Sequence, residues 1–115
     1  MIARLWRGWT SPENAAAYDA LLRAQIFPGI QQRRIAGFRS IELLRRDTDD
    51  EVEFITLMLF ESWQAVKDFA GADYEVAVVP SAARALLKRF DDRSAHYEVR
   101  VPRSHQDDSC PAASR

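Results

Sequence analysis

Apolar and polar positions along this chain follow two different periods, and their alternation predicts the order of elements. Residues 51–60, EVEFITLMLF, form an extended run rich in β-branched and aromatic side chains. Ile55, Leu57 and Leu59 fall on one face, and Phe54, Thr56, Met58 and Phe60 on the other. A strand that is apolar on both faces needs cover on both, which predicts a central strand between two layers. Residues 2–9 also alternate, with Ile2, Arg4, Trp6 and Gly8 against Ala3, Leu5, Arg7 and Trp9. Ser11 as a cap, Pro12 at the first helical position and Glu13 at the positive end of the dipole then predict a helix start. Tyr18, Leu21, Leu22, Gln25 and Ile26 recur at three- and four-residue spacing, and Phe27-Pro28-Gly29 predicts a break or kink. After the turn signal Ala36-Gly37, residues 38–46 alternate again, Phe38, Ser40, Glu42 and Leu44 against Arg39, Ile41, Leu43 and Arg45.

Ser62 predicts the cap of a second helix with Val66, Phe69 and Ala70 as its apolar positions and Gly71 as its end. Trp63 falls in its first turn, as a packing residue at the rim. Residues 73–79 read equally as an extended piece or a helical turn, with Tyr74 as a loop anchor, and Pro80 ends them. Ser81 predicts a short helix carrying Ala85, Leu86 and Phe90, and residues 94–101 a last strand with His96, Glu98 and Arg100 on one face. The resulting order, β-α-β-β-α-β, is the ferredoxin-like arrangement: an α+β fold with both helices on one face of a four-stranded antiparallel sheet. Residues 1–101 form this domain, and residues 102–115, polar and without periodicity, form a tail expected to be disordered.

If the aliphatic set Leu5, Ile41, Leu43, Ile55, Leu57, Leu59, Tyr97 and Val99 packs on the helices, Trp6, Phe38, Leu44, Phe54, Met58 and Phe60 face outward. Leaving those six exposed costs on the order of 10 kcal/mol at ~25 cal/mol per Å². A second copy of the chain is the simplest cover, giving a homodimer with the two sheets face to face. The same face carries Arg4, Ser40, Glu42, Thr56, His96 and Glu98, and a buried Arg4 calls for a partner in Glu42 or Glu98. Two readings stand side by side: structural ion pairs along the dimer seam, or a semi-enclosed cavity with aromatic walls, one titratable histidine and an arginine that holds an oxyanion.

With 115 residues, 47% hydrophobic and 29% charged, the chain suffices for one domain with its own core. A formal charge of −1 with acids and bases interspersed gives no electrostatic case for nucleic acid or an anionic membrane. No apolar run approaches the roughly 18 residues of a membrane span, and the N-terminus reads as a strand rather than a signal peptide, so the expected compartment is the cytoplasm. The single cysteine, Cys110, permits neither a disulfide framework nor a multi-thiolate metal site. Patterns such as HExxH, CxxC, Walker A and GxGxxG do not occur, and no metal is expected.

The segments IARLWRGW, GFRSIELLRR, FITLMLFES with VKDFAG after it, and the closing HYEV resemble the antibiotic biosynthesis monooxygenase family of dimeric α+β barrel proteins. The resemblance covers residues 1–101. It implies a dimeric barrel and either a cofactor-independent oxygenase of a phenol or quinol, a haem-degrading enzyme, or a protein without a known reaction. The haem-degrading members use an asparagine, a tryptophan and a histidine. Here the corresponding places hold Arg7 or Trp6, Phe60, and Ala77 and Val78, which argues against haem.

For a cofactor-independent oxygenase of a small aromatic metabolite, the candidate residues follow from position and chemistry. His96 would take a phenolic proton and Arg4 would stabilise the anion. Trp6 and Phe60 would sandwich the ring, while Glu42, Phe54, Met58 and Glu98 would complete the binding face. The alternative is a non-catalytic small-ligand-binding or stress-associated dimer whose interior charges only fix the assembly.

Overall fold

The structure, a computed structural model, describes residues 1–101. The tail, with Cys110 and His105, lies outside the described residues. Five strands form one antiparallel sheet: β1 (Ile2–Thr10), β2 (Phe38–Asp47), β3 (Val52–Phe60), β4 (Leu87–Phe90) and β5 (Ala95–Glu98). Their order is β2-β3-β1-β4, with β5 also paired to β1, which is the ferredoxin-like order with the last strand divided in two. β4 pairs with Gly8–Thr10 and β5 with Ile2–Leu5, so one edge of β1 is covered along most of its length.

Where the short helix was expected to carry Leu86 and Phe90, it is confined to α4 (Ser81–Arg84), and the chain turns into β4 instead. Gly8 permits that pairing: a Cβ there would meet Leu87 Cδ2 at 3.0 Å and the Trp6 ring at 3.1 Å. Residues 73–79 form neither a strand nor a helix: 73–75 make a turn, closed by the Val76 N–H donating to the Asp73 carbonyl at 3.2 Å, and 76–79 run on without regular structure. Val76 bridges Arg93, the Ala77 N–H donates to the Asp92 carbonyl at 2.9 Å, and the Ser94 N–H donates to the Glu75 carbonyl at 2.7 Å.

The helix does not end at Phe27-Pro28-Gly29; it continues to Gln32, within the further turn or two toward Arg34 that the sequence allows beyond a kink. Pro12–Asn14 makes a 3₁₀ turn capped by the Ser11 hydroxyl, α1 (Ala15–Leu21) follows, a π-helical stretch spans Leu22–Ile26, and α2 (Phe27–Gln32) continues the same rod. In the widened stretch the Phe27 N–H donates to the Leu22 carbonyl, five residues back. That extra residue in the turn lets Pro28, which lacks an N–H, enter at the start of α2 without ending the helix. α3 (Trp63–Ala70) starts at Ser62, whose hydroxyl accepts from the Ala65 N–H, and ends at Gly71 with φ +93°. Among the described residues, no helix is long and apolar enough to cross a membrane.

In β1 and β3 the sheet face that the helices cover is the opposite of the one expected, whereas in β2 Ile41 and Leu43 lie on the helix side as expected. Ile2, Met58 and Phe60 pack with Ala65, Val66 and Phe69, while Val52 and Phe54 pack with Ala15, Tyr18, Leu22 and Ala83. Each of these large side chains contributes about 1.5–3 kcal/mol by burial. The face left open carries Leu5, Leu44, Ile55, Leu57, Leu59 and Tyr97, with Leu44 45% and Tyr97 56% exposed. Strict alternation misassigns Phe38 because β2 contains a bulge: Phe38 pairs with Phe60, yet Ser40 pairs with Leu59 and Ile41 with Met58. One extra residue reverses the facing of everything before it, so Phe38, Ile41 and Leu43 share the helix side.

Gly37 closes the turn into β2 at φ +86°, and a Cβ there would lie 2.8 Å from the Ala65 Cβ. Gly37→Ala is therefore expected to destabilise the fold by about 2–3 kcal/mol through backbone strain and displacement of α3. Urea unfolding of the variant measures this; an unchanged midpoint would contradict the packing of the turn on α3.

Candidate functional site

Between helices and sheet, a cavity of about 70 Å³ is bounded by residues of both apolar clusters. Its floor is Arg4, Trp6, Thr56 and Met58 from the central strands, with Ser94 just before β5. Its roof is Tyr18, Leu22, Ile26, Phe27 and Ile30 from the long helical rod, together with Phe69. The π-helical stretch supplies Leu22 and Ile26, and residues 78–80 and Ala83 close the side.

Arg4 is the chemical centre. It is only 4% exposed, in the middle of β1, where each side chain on its face points under the helices. One guanidinium N–H donates to the Tyr74 carbonyl, and the same nitrogen lies 2.9 Å from His96 Nε2. The guanidinium carbon sits 5.4 Å from the centroid of the Phe69 ring. Burial lowers its pKa to about 10, so it stays charged at neutral pH. The expected pairing with Glu42 or Glu98 is not made. Glu42 lies opposite Leu57 on the other face of the sheet, and Glu98, exposed, lies 3.7 Å from Arg100. A carbonyl oxygen, an imidazole nitrogen and an aromatic face thus surround a buried cation.

The contact with His96 determines its tautomer. A guanidinium only donates, so Nε2 must accept and the proton of the neutral ring resides on Nδ1. Strand pairing brings the two side chains together, since Arg4 lies directly opposite His96. The imidazole packs edge-on against Tyr74 at 5.1 Å and near Trp63 at 5.9 Å, and Trp63, 42% exposed, forms the rim as expected. Desolvation, and then the Arg4 charge, push the His96 pKa below 6.5; Glu75 acts weakly in the other direction.

Of the candidate residues, Arg4, Trp6 and Met58 bound the cavity, and His96 touches Arg4 behind it. The Trp6 ring is fixed by its Nε1–H, which donates to the Asp91 carbonyl at 2.7 Å, and by Phe90 at 5.9 Å. Phe54 and Phe60 are core side chains: Phe54 packs on Tyr18 at 4.9 Å, and Phe60 lies between Phe38 and Phe69, each at 5.7 Å. Sequence reasoning passed over Tyr18, Ser94 and the Leu22–Ile26 stretch. Tyr18 was visible as a helix position only, and burial pushes its hydroxyl pKa up, keeping it neutral. Among the described residues, no group of three or more His, Cys, Asp or Glu side chains is placed to hold a metal ion.

No family model matches the chain, and no curated protein matches it. Solved structures do. A Bacillus cereus protein named for the antibiotic biosynthesis monooxygenases superimposes with a TM-score of 0.59 at 14% identity, over 90% of this chain and 96% of that one. A monooxygenase from the gene ActVA-Orf6 of Streptomyces coelicolor, in complex with the ligand nanaomycin D, gives 0.56 at 17% identity, over 90% of each chain. The chain has the fold of the antibiotic biosynthesis monooxygenases.

Because folding lowers the His96 pKa, the neutral ring is the form the fold favours. Its contribution to stability is complete above pH 6.5 and is lost as pH falls through the depressed folded value. Imidazole nitrogen NMR is expected to show the Nδ1–H tautomer at neutral pH and a titration midpoint below 6.5. A protonated Nε2 at neutral pH would contradict the Arg4 contact.

Proposed function

We propose that this protein is a cofactor-independent monooxygenase of a small aromatic phenol or quinol, acting as a homodimer. The observation that supports this most is Arg4, a buried cation on a cavity wall whose contacts among the described residues are a carbonyl, an imidazole nitrogen and the Phe69 ring, which it shares with Arg33. A phenolate or enolate oxygen beside it would offset the cost of burying the charge, and the low-polarity surroundings would strengthen that attraction. Trp6 and Met58 would pack on the ring. Once the guanidinium turns to the bound oxygen, His96 Nε2 is freed to take the phenolic proton. The substrate carbanion then reduces oxygen: in an anthrone-like methylene, one oxygen atom becomes the product carbonyl and the other leaves as water with the two hydrogens. The fold shared with named monooxygenases agrees with this chemistry.

One observation favours the second reading, a non-catalytic small-ligand-binding or stress-associated dimer. At about 70 Å³ the cavity holds a few waters, well short of the roughly 300 Å³ of a common ligand pocket. An aromatic ring enters only if a wall moves. Residues 78–80 and the π-helical stretch are the walls with the fewest regular backbone bonds to break.

Oxygen uptake with metal chelated, against a panel of anthrones and naphthoquinols, separates the two readings. Turnover that falls about a hundredfold in Arg4→Gln supports the oxygenase. Undiminished turnover in that variant would remove Arg4 from the mechanism, and none across the panel would shift the assignment to the binding dimer.

The open sheet face supports the homodimer. Leu5, Leu44, Ile55 and Tyr97 line a groove of about 930 Å³, rimmed by Arg7, Arg46, Glu53 and Asp91. A second copy laid across it would bury the aliphatic stripe and place charged rims of both signs against each other. Sedimentation is expected to give a dimer at micromolar concentration, and Leu57→Glu is expected to give a folded monomer. A monomeric wild-type protein would refute the assembly.

A further inference from the structure

The cavity has a second polar point besides Arg4. Ser94 is 5% exposed and forms part of the wall, and among the described residues its Oγ meets no hydrogen-bond partner. An unpaired buried hydroxyl costs about 1–3 kcal/mol, so its retention at a cavity wall calls for a reason. Its backbone is held in place: the Ser94 N–H donates to the Glu75 carbonyl, and Ala95, the next residue, pairs with Leu5. Ser94 lies two residues before His96, the partner of Arg4 across the strands. Diagonal positions on neighbouring strands stand under about 8 Å apart at Cβ, and Ser94 and Arg4 both border the one cavity, within reach of two oxygens on one aromatic ring.

We propose that Ser94 is a ligand-binding residue, and that the ligand is an aromatic bearing two neighbouring oxygens. One oxygen, ionised, faces the Arg4 guanidinium, and the second exchanges a hydrogen bond with the Ser94 hydroxyl. Elsewhere on the wall Trp6, Leu22, Phe27, Met58 and Phe69 offer apolar contact to the ring, beside the hydroxyl-bearing Tyr18 and Thr56. Vicinal diphenols and hydroxy-ketones of the naphthalene and anthracene type have this chemistry, whereas a simple phenol leaves Ser94 unpaired. This assignment rests on the proposal that the cavity takes a phenolic ligand.

Calorimetric binding under anaerobic conditions tests it, with naphthol and a vicinal dihydroxynaphthalene as probes of the full-length protein. The wild type is expected to bind the dihydroxy probe more tightly than naphthol. Ser94→Ala is expected to weaken the dihydroxy probe about five- to tenfold, to leave naphthol unchanged, and to leave the unfolding midpoint equal or higher, since an unpaired polar group has been removed. If the wild type binds both probes and Ser94→Ala binds them as well as the wild type, the hydroxyl is satisfied by water alone and the assignment fails. If the wild type binds neither, the phenolic reading itself fails and takes this assignment with it. A variant that loses stability as well as affinity for both probes would show Ser94 to be a structural residue and would overturn the proposal.

Discussion

A positive charge held under the helices is the constraint that the elements around it have to accommodate. Placing a guanidinium in a protein interior costs several kcal/mol unless its hydrogens are satisfied and its charge is compensated. Arg4 is satisfied in part by the Tyr74 carbonyl and His96 Nε2, and among the described residues its charge meets the π-face of Phe69, which Arg33 shares. Each of those partners needs its own support. Tyr74 is brought in by the segment that bridges Arg93, His96 by the pairing of β5 with β1, and Phe69 by the second turn of α3. Three separate parts of the chain are thus committed to one side chain that gives little back to the fold. That pattern agrees with the role in binding an anionic ligand proposed for Arg4.

The layer above the charge is built to leave room there. The π-helical stretch widens one turn of the rod directly over the cavity, and Pro28 follows it. A regular α-helix at that point would close its backbone bonds and rotate the following side chains, Phe27 and Ile30, away from where they now stand. The division of the last strand acts from below. Because β4 and β5 share the edge of β1, the chain between them turns outward near Trp6, and Ser94 is left at the wall with an unpaired hydroxyl. Local irregularities in two elements therefore coincide at one place, while the remainder of β1 and β3 pairs residue for residue from Ile2 to Thr10.

Much of the fold was legible because its signals are short-range. The caps at Ser11 and Ser62, the stop at Gly71 and the period-two runs of β1, β2 and β3 are local chemistry, and the ferredoxin-like order follows from them. The facing of β1 and β3 was not legible, since β3 is apolar on both sides and only the bulge after Phe38 decides which half of β2 belongs with it. A bulge of this kind carries no residue signature here. The π-helical stretch was equally hidden, and Pro28 was read as a break or kink because the widened turn that accommodates it is a tertiary solution. For the site, charge was the useful signal: Arg4 and His96, polar positions in strongly apolar strands, do meet. Glu42 and Glu98 were drawn in by the rule that buried charges pair, and that rule failed because Arg4 is left without a carboxylate. Ser94 is a common residue at an irregular position, and only its burial sets it apart.

The most direct measurement of this account is the stability of Arg4→Met by urea unfolding, read beside that of the wild type. If Arg4 is kept for a ligand and not for the fold, an unbranched apolar side chain of similar length should leave the unfolding free energy within about 1 kcal/mol of the wild type, or raise it. A loss of about 3–5 kcal/mol, as when one partner of a buried ion pair is removed, would contradict the account. Arg4 would then be a structural residue, and the cavity beside it no more than a packing defect.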